Sequence, residues 1–159
     1  MMAGALSGIK VIDFGQYISG PLAAMMLGDH GAEVIRVEPP DGPHWKSHAN
    51  AALNRGKQLI VLDAKNEKDN SIGRSLITSA DIVIENFRPN VMNRLGWGPS
   101  VMAKANPRLI YCSLPGFATD DPRAQMPAWE GIVSAATDTY RPASNNTDTD
   151  RYNPTIISD

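Results

Sequence analysis

Cysteine is almost absent from this chain. A single thiol, Cys112, cannot close an internal disulfide, which excludes a disulfide-stapled fold and fits a reducing cytoplasm. It lies within the apolar run LIYCSL, where a core thiol rather than a nucleophile is expected. No apolar stretch approaches the roughly 18 to 20 residues needed to span a bilayer. The N-terminal MMAGALSGIK lacks the charged start and long apolar core of a signal peptide, so neither a membrane span nor a leader is expected. There is no run of five basic residues, and the net charge is only −2, so no nucleic-acid partner is expected either. Histidine is scarce. His44 and His48 stand four apart with no acidic residue between them, His30 is remote, and no metal site is expected. The pattern G-x-G-x-x-G is missing, since the turn after the first strand reads FGQYISGP, and this excludes NAD and FAD as cofactors. G-x-x-x-x-G-K-[ST] and G-x-S-x-G are missing too, which removes P-loop chemistry and a serine nucleophile elbow.

What is present is an alternation of strand-like and helix-like segments. The hydrophobic fraction of 42% and a length of 159 residues suffice for a real core. IKVIDFG is a β-branched run ending at Gly15. SGPLAAMMLGDHG follows as a helix, with Ser19 as its expected cap, Pro21 in its first turn, and Leu22, Met25, Met26 and Leu27 as its apolar face. AEVIRVEPP is the next strand, completing a βαβ unit. DGPHWKSHANAALNRGK breaks the pattern and reads as a long loop or a short helical excursion. QLIVLDA, DIVIENF and RLIYCSLPGF are three further strands. Between them lie a helix over NEKDNSIGRSLITSA, with Ile72, Leu76 and Ile77 facing inward, and two short helices, NVMNRLG and GPSVMAKAN. Five strands separated by helices predict an α/β fold, a Rossmann-like open parallel sheet with helices on both faces. A helical piece is expected over residues 127–137, then a polar linker from Tyr140 to Asn153, then the strand-like TIISD.

Open parallel sheets bind ligands beyond the C-terminal ends of their strands. The polar groups expected there are Gln16, Tyr17 and Ser19 after the first strand, Glu38 after the second, and Asp63 and Lys65 after the third. Asn86, Phe87 and Arg88 follow the fourth, with Arg94 about one helical turn further on. Such a set, partly cationic and carrying an aromatic ring, suits an anionic ligand with a flat ring. The same residues also serve as caps and turn formers, and spacing alone leaves both readings open.

Taken together, VIDFGQYISGPLAAMMLGDHGAEVIRVEPP, NRGKQLIVLDAK, ADIVIENFRPNVMNRLG and NPRLIYCSLPGF resemble the class III CoA-transferases. That superfamily contains formyl-CoA:oxalate CoA-transferase, carnitine CoA-transferase and α-methylacyl-CoA racemase. The resemblance runs from about Gly8 to Asp159. It implies the N-terminal part of the family's large domain: a CoA-binding portion over residues 1–139, then a linker and strand over residues 140–159 leading to the catalytic aspartate. The small domain and the C-terminal returning segment are expected to lie outside this sequence. Asp159, 29 residues beyond Glu130, falls where the family places its nucleophile.

Carried over residue by residue, the resemblance makes Tyr17, Ile18, Ser19, Leu62, Lys65, Asn86, Phe87, Arg88, Arg94 and Leu95 contacts for coenzyme A. Lys65 and Arg94 are the expected phosphate partners. It further implies acyl-CoA and a carboxylic acid as substrates, an interlocked homodimer for the full-length parent, and no resident metal. Two departures bear on the adenine and pantetheine contacts. Pro39 stands where the formyl-CoA enzyme has an arginine, and Pro127-Ala128 stand where it has Lys-Gly. The racemase branch uses a histidine beside the acidic residue. Here that position is Trp129, which exchanges no proton at neutral pH, so transfer is expected over racemisation. Trp129 is read as an acyl-pocket wall or core, and Glu130 as an orienting or a structural carboxylate. The third expectation is a truncated, non-catalytic CoA-binding remnant.

Overall fold

The first strand, β1 (Lys10–Asp13), is a run of β-branched residues that lies at the centre of a five-stranded parallel sheet. The structure is a computed structural model and describes residues 4–136, 141–142 and 150–151. The chain divides into two compact units, residues 1–114 and 115–159.

In the first unit, α1 (Ser19–Asp29) carries the chain from β1 to β2 (Glu33–Glu38). The short α2 (His48–Leu53) sits in the irregular excursion before β3 (Gln58–Val61). Then come α3 (Glu67–Thr78), β4 (Ile82–Glu85), α4 (Val91–Arg94), α5 (Pro99–Ala105) and β5 (Ile110–Ser113). The strand order is β3-β2-β1-β4-β5, all parallel. The chain reverses its winding direction between β1 and β4, the doubly wound arrangement that opens a crevice at that point.

Because side chains alternate across a strand, the register divides the apolar residues between two layers. Ile12, Val37 and Val83 face α3, α4 and α5, where they join Phe14, Leu62, Ile77, Met92, Trp97 and Met102 in the larger core. Val11, Val34 and Ile84 face the other way and pack with Ala24 of α1. The cap of α3 forms as its polar start predicts: the Asn66 side chain accepts hydrogen bonds from the N–H groups of Lys68 and Asp69.

Two helices turn differently from expectation. Ser19 does not cap α1. Ile18 holds that position without a side-chain bond, and Ser19 is the first helical residue. The buried residues of α1 are Gly20, Pro21 and Ala24, while Leu22 and Met26 are exposed. The reason is proximity. A Cβ at Gly15 would lie 2.7 Å from the Gly20 Cα and 2.7 Å from the Pro21 Cδ, so the start of the helix is drawn too close to the strand end for a large side chain. In α3, Ile77 is fully buried but Ile72 is exposed. Its neighbour Gly73 takes the inward position instead, beneath the Trp97 ring.

In the second unit, α6 (Glu130–Ala136) is the expected helical piece. Two-residue strands β6 (Arg141–Pro142) and β7 (Asp150–Arg151) pair antiparallel. The strand expected over TIISD lies outside the described residues.

Trp97 is 2% exposed, stacks obliquely on Phe14 with ring centroids 5.3 Å apart, and donates its indole N–H to the Asn70 carbonyl. A Cβ at Gly73 would meet the Trp97 ring at 2.5 Å. Gly73→Ala gains about 1 kcal/mol of helix propensity but overpacks the tryptophan by about 1–3 kcal/mol. It is therefore expected to destabilise the fold in urea unfolding, whereas the exposed Ile72→Ala changes the midpoint less. A Gly73→Ala protein more stable than the parent would show that the ring yields freely.

Candidate functional site

β1 and β4 are neighbours, so the loops that leave their C-terminal ends meet. Asn86 joins them. Its Oδ1 accepts from the Gln16 N–H at 2.6 Å, and its Nδ2 donates to the Gln16 carbonyl at 2.8 Å and to the Ser19 Oγ at 3.1 Å. One amide side chain thereby replaces the backbone partners that the Gln16–Ser19 turn lacks. At the tip of that turn Tyr17 is exposed and holds the left-handed conformation, φ 56°. A tyrosine there is unusual and is kept by its surroundings. On the β4 side, Glu85 accepts the Phe87 N–H, Phe87 packs against the larger core, and Arg88 is exposed.

A second pair of loops is joined by a residue the sequence did not single out. Asn70, in α3, donates to the Ala64 carbonyl at 3.1 Å and to the Leu95 carbonyl at 3.0 Å. This holds the loop bearing Lys65 against the end of α4, which bears Arg94. Leu62 is buried in the larger core, and Leu95 packs on it. Lys65, Arg88 and Arg94 are all exposed. Among the described residues the ion pairs are formed by Arg36, Arg55, Lys57 and Arg123, so these three cations make none.

Beneath the first turn lies a buried ionic cluster, also missed in the sequence. Asp13 is fully buried. Its Oδ1 accepts the Gly15 N–H at 2.7 Å, and its Oδ2 meets Lys57 Nζ at 2.8 Å and Arg36 Nη1 at 3.4 Å. Lys57 Nζ also donates to the Pro21 carbonyl at 2.8 Å and to Asn54 Oδ1 at 2.9 Å, which uses all three of its protons. Arg36 donates to the Gly15 carbonyl at 2.9 Å and to Glu38 Oε1 at 2.8 Å. Two carboxylates balance two cations, and no buried side-chain N or O is left unpaired among the described residues. The available signal was a charge at an inward position of a β-branched run, Asp13 in VIDF and Arg36 in VIRVE.

Burial lowers the Lys57 pKa from its ordinary 10.5, against the opposing pull of Asp13. Cys112, half-buried against the second core layer, has its thiol raised first by burial and then by Glu85. It is thus a poor nucleophile. Tyr111 is raised for the same two reasons and donates its hydroxyl to the Trp97 carbonyl.

In the second unit, Trp129 is 63% exposed and is therefore not core there. Its carbonyl accepts from the N–H groups of Ile132 and Val133, and Glu130 is the first residue of α6. The role expected of the Glu130 side chain, and Asp159 itself, lie outside the described residues. Among the described residues, no group of three or more His, Cys, Asp or Glu could hold a metal, and no helix is long and apolar enough to cross a membrane.

Residues 6–156 match the CoA-transferase family III. The chain belongs to that family. It is 46% identical over 136 residues to the CoA-transferase/lyase DddD of Marinomonas sp., which covers 85% of this chain and 16% of that protein. It is 42% identical over 142 residues to the acetyl-CoA:oxalate CoA-transferase of Acetobacter aceti, covering 83% of this chain and 36% of that protein. The crystal structure of Rv3272 from Mycobacterium tuberculosis superposes with a TM-score of 0.86 at 32% identity, over 98% of this chain and 46% of that one. The chain thus spans less than half of the length of these relatives.

Lys57 makes one aspect of the cluster measurable. Its pKa is lower folded than unfolded, so between the two values the unfolded chain binds more protons and stability rises with pH. The stability difference between the parent and Lys57→Met is expected to move in favour of the parent as pH climbs from neutral towards 10.5. Denaturant unfolding of both proteins at neutral and alkaline pH measures it, and a difference independent of pH would contradict the assignment.

Proposed function

We propose that this chain is the CoA-binding portion of a cytoplasmic enzyme that moves CoA from an acyl-CoA donor to a carboxylic acid acceptor. The observation that carries the proposal is the Asn86-clamped turn at the switch point of a family III chain. Exposed Lys65 and Arg88, on loops that leave the C-terminal ends of β3 and β4, and Arg94 at the end of α4 supply charge for the phosphates of CoA. Tyr17, Ile18, Ser19, Leu62, Asn86, Phe87 and Leu95 form the remaining contacts. In the full-length parent the partner is a second copy of the chain, interlocked with the first.

Asp159 acts as the nucleophile. Its carboxylate attacks the thioester carbonyl of the donor, the C–S bond breaks, and CoA leaves as thiolate from a mixed anhydride. The thiolate then attacks the aspartyl carbonyl and releases the donor acid as carboxylate, leaving an aspartyl-CoA thioester. The acceptor carboxylate attacks that carbonyl and displaces CoA thiolate. The thiolate attacks the acceptor carbonyl of the new anhydride and regenerates free Asp159. The net exchange replaces one acyl-CoA thioester with another of similar energy, so no ATP is needed, and the covalent route divides a difficult exchange into easier steps. Racemisation needs a second proton-transfer group beside Glu130, and the Trp129 indole is not one.

Two outcomes test this reading. In the full-length parent, hydroxylamine added during turnover is expected to convert Asp159 to a hydroxamate detectable by mass spectrometry. Asp159→Ala should lose more than about 10³-fold in kcat. An Asp159 left unmodified during turnover would remove the covalent route. The polypeptide of residues 1–159, expressed alone, is expected to show no CoA exchange, and exchange that vanished in its own Asp159→Ala variant would overturn that expectation.

A further inference from the structure

The buried ionic cluster does more than join strands. The ladder hydrogen bonds of β1, β2 and β3 already hold those strands together. The cluster's polar atoms also grip the backbone on either side of the Gln16–Ser19 turn. Asp13 holds the Gly15 N–H, Arg36 holds the Gly15 carbonyl, and Lys57 holds the Pro21 carbonyl. The turn therefore hangs between two side-chain grips, the Asn86 amide above the switch point and the charged cluster below it.

We propose that Lys57 is a positioning residue that, through Asp13 and the Pro21 carbonyl, sets the shape of the Gln16–Ser19 turn and hence its affinity for CoA. The identity of the ligand rests on the function proposed above. Lys57 itself touches no ligand, because all three of its protons are spent on Asp13, Pro21 and Asn54. It belongs to the segment NRGK, and it is 44 residues from Asp13 in sequence. Besides balancing the Asp13 charge, the cation ties the entry of β3 to the Pro21 carbonyl just beyond the turn. Such a group links the position of the α2–β3 loop to that of the turn.

Amide hydrogen exchange in the parent, in Lys57→Met and in the double variant Lys57→Met/Asp13→Asn provides the test. In Lys57→Met the amides of Gly15, Gln16 and Leu22 are expected to exchange about tenfold faster, while those of Ile77 and Val83 hold their rates. The double variant leaves no buried charge of Asp13 to be stranded, so it recovers stability while the turn amides stay fast. It also stands in for the single variant should that fail to fold. Acceleration spread evenly over the chain, or turn protection that returns together with stability in the double variant, would overturn the proposal. Titration with CoA reads the ligand arm. Binding weakened by about tenfold in both variants supports it, whereas binding equal to the parent's with a loosened turn overturns it. A parent that does not bind CoA would sink the proposed function, and the exchange data would then judge the positioning role alone.

Discussion

Asp13 places a carboxylate where water does not reach, and the C-terminal edge of the sheet is arranged around it. An isolated charge in that position would cost several kcal/mol, so the chain must bring cations to it from elsewhere. Register does the first part. Asp13 lies beside Arg36 in the β1–β2 ladder, and side chains at paired positions of parallel strands share a face. Lys57, at the entry to β3, does the second. Once both cations are inside, their surplus protons need acceptors, and the carbonyls of Gly15 and Pro21 are what lies within reach. Neutralising one carboxylate therefore fixes the path of the chain from the end of β1 into α1.

That path has a consequence for packing. A turn pulled down onto a buried cluster brings α1 close to the sheet, and small or ring-closed residues, Gly20, Pro21 and Ala24, are the ones buried there. The larger side chains Leu22 and Met26 are turned outward. On the same face of the sheet, Leu59 and Val61 of β3 and Ile110 of β5 are exposed, because their register partners Arg36, Glu38 and Ile82 point to the α1 side. The opposite face, covered by three helices, holds the larger core and the only close aromatic pair among the described residues. The two faces thus differ in how tightly they are closed, and the difference begins at Asp13.

The order of strands and helices was legible because buried parallel strands are written as short β-branched runs, and the start of α3 carries a recognisable polar cap. The five strands stand where those runs are. The faces of the helices were less legible. Leu22 and Met26 look like an inward face when helical spacing is read alone, and nothing local reveals that Gly15 and Gly20 must nearly touch. The clamp formed by Asn86 was anticipated as a site position but not as a structural tie, since its partner Gln16 is 70 residues away. Asn70 and the Asp13–Arg36–Lys57 cluster were not anticipated, because long-range pairing of charges leaves no local pattern. Asp13 and Arg36 stand out only as charges within β-branched runs, and Lys57, taken singly, resembles an ordinary surface group.

The structure sorts its cations into two kinds, and the sorting bears on what the site can do. Arg36 and Lys57 are buried, and the protons of Lys57 are fully committed. Moving that cation to meet a ligand would strand a carboxylate in a dry interior. Lys65, Arg88 and Arg94 are exposed and make no ion pairs among the described residues. Each is worth little in water by itself, since exposed ion pairs contribute at most about 1 kcal/mol. A multiply charged ligand changes that arithmetic, because several weak attractions then act on one molecule without several ordering costs. It also needs the loops that bear the cations to be set beforehand, as a loop ordered only on binding would consume the gain. Asn86 and Asn70 do that setting: each uses one side chain to join two loops at the edge of the sheet. In the function proposed above, the exposed cations are free to meet the ligand, Lys57 is not, and Asn86 and Asn70 hold the loops between them.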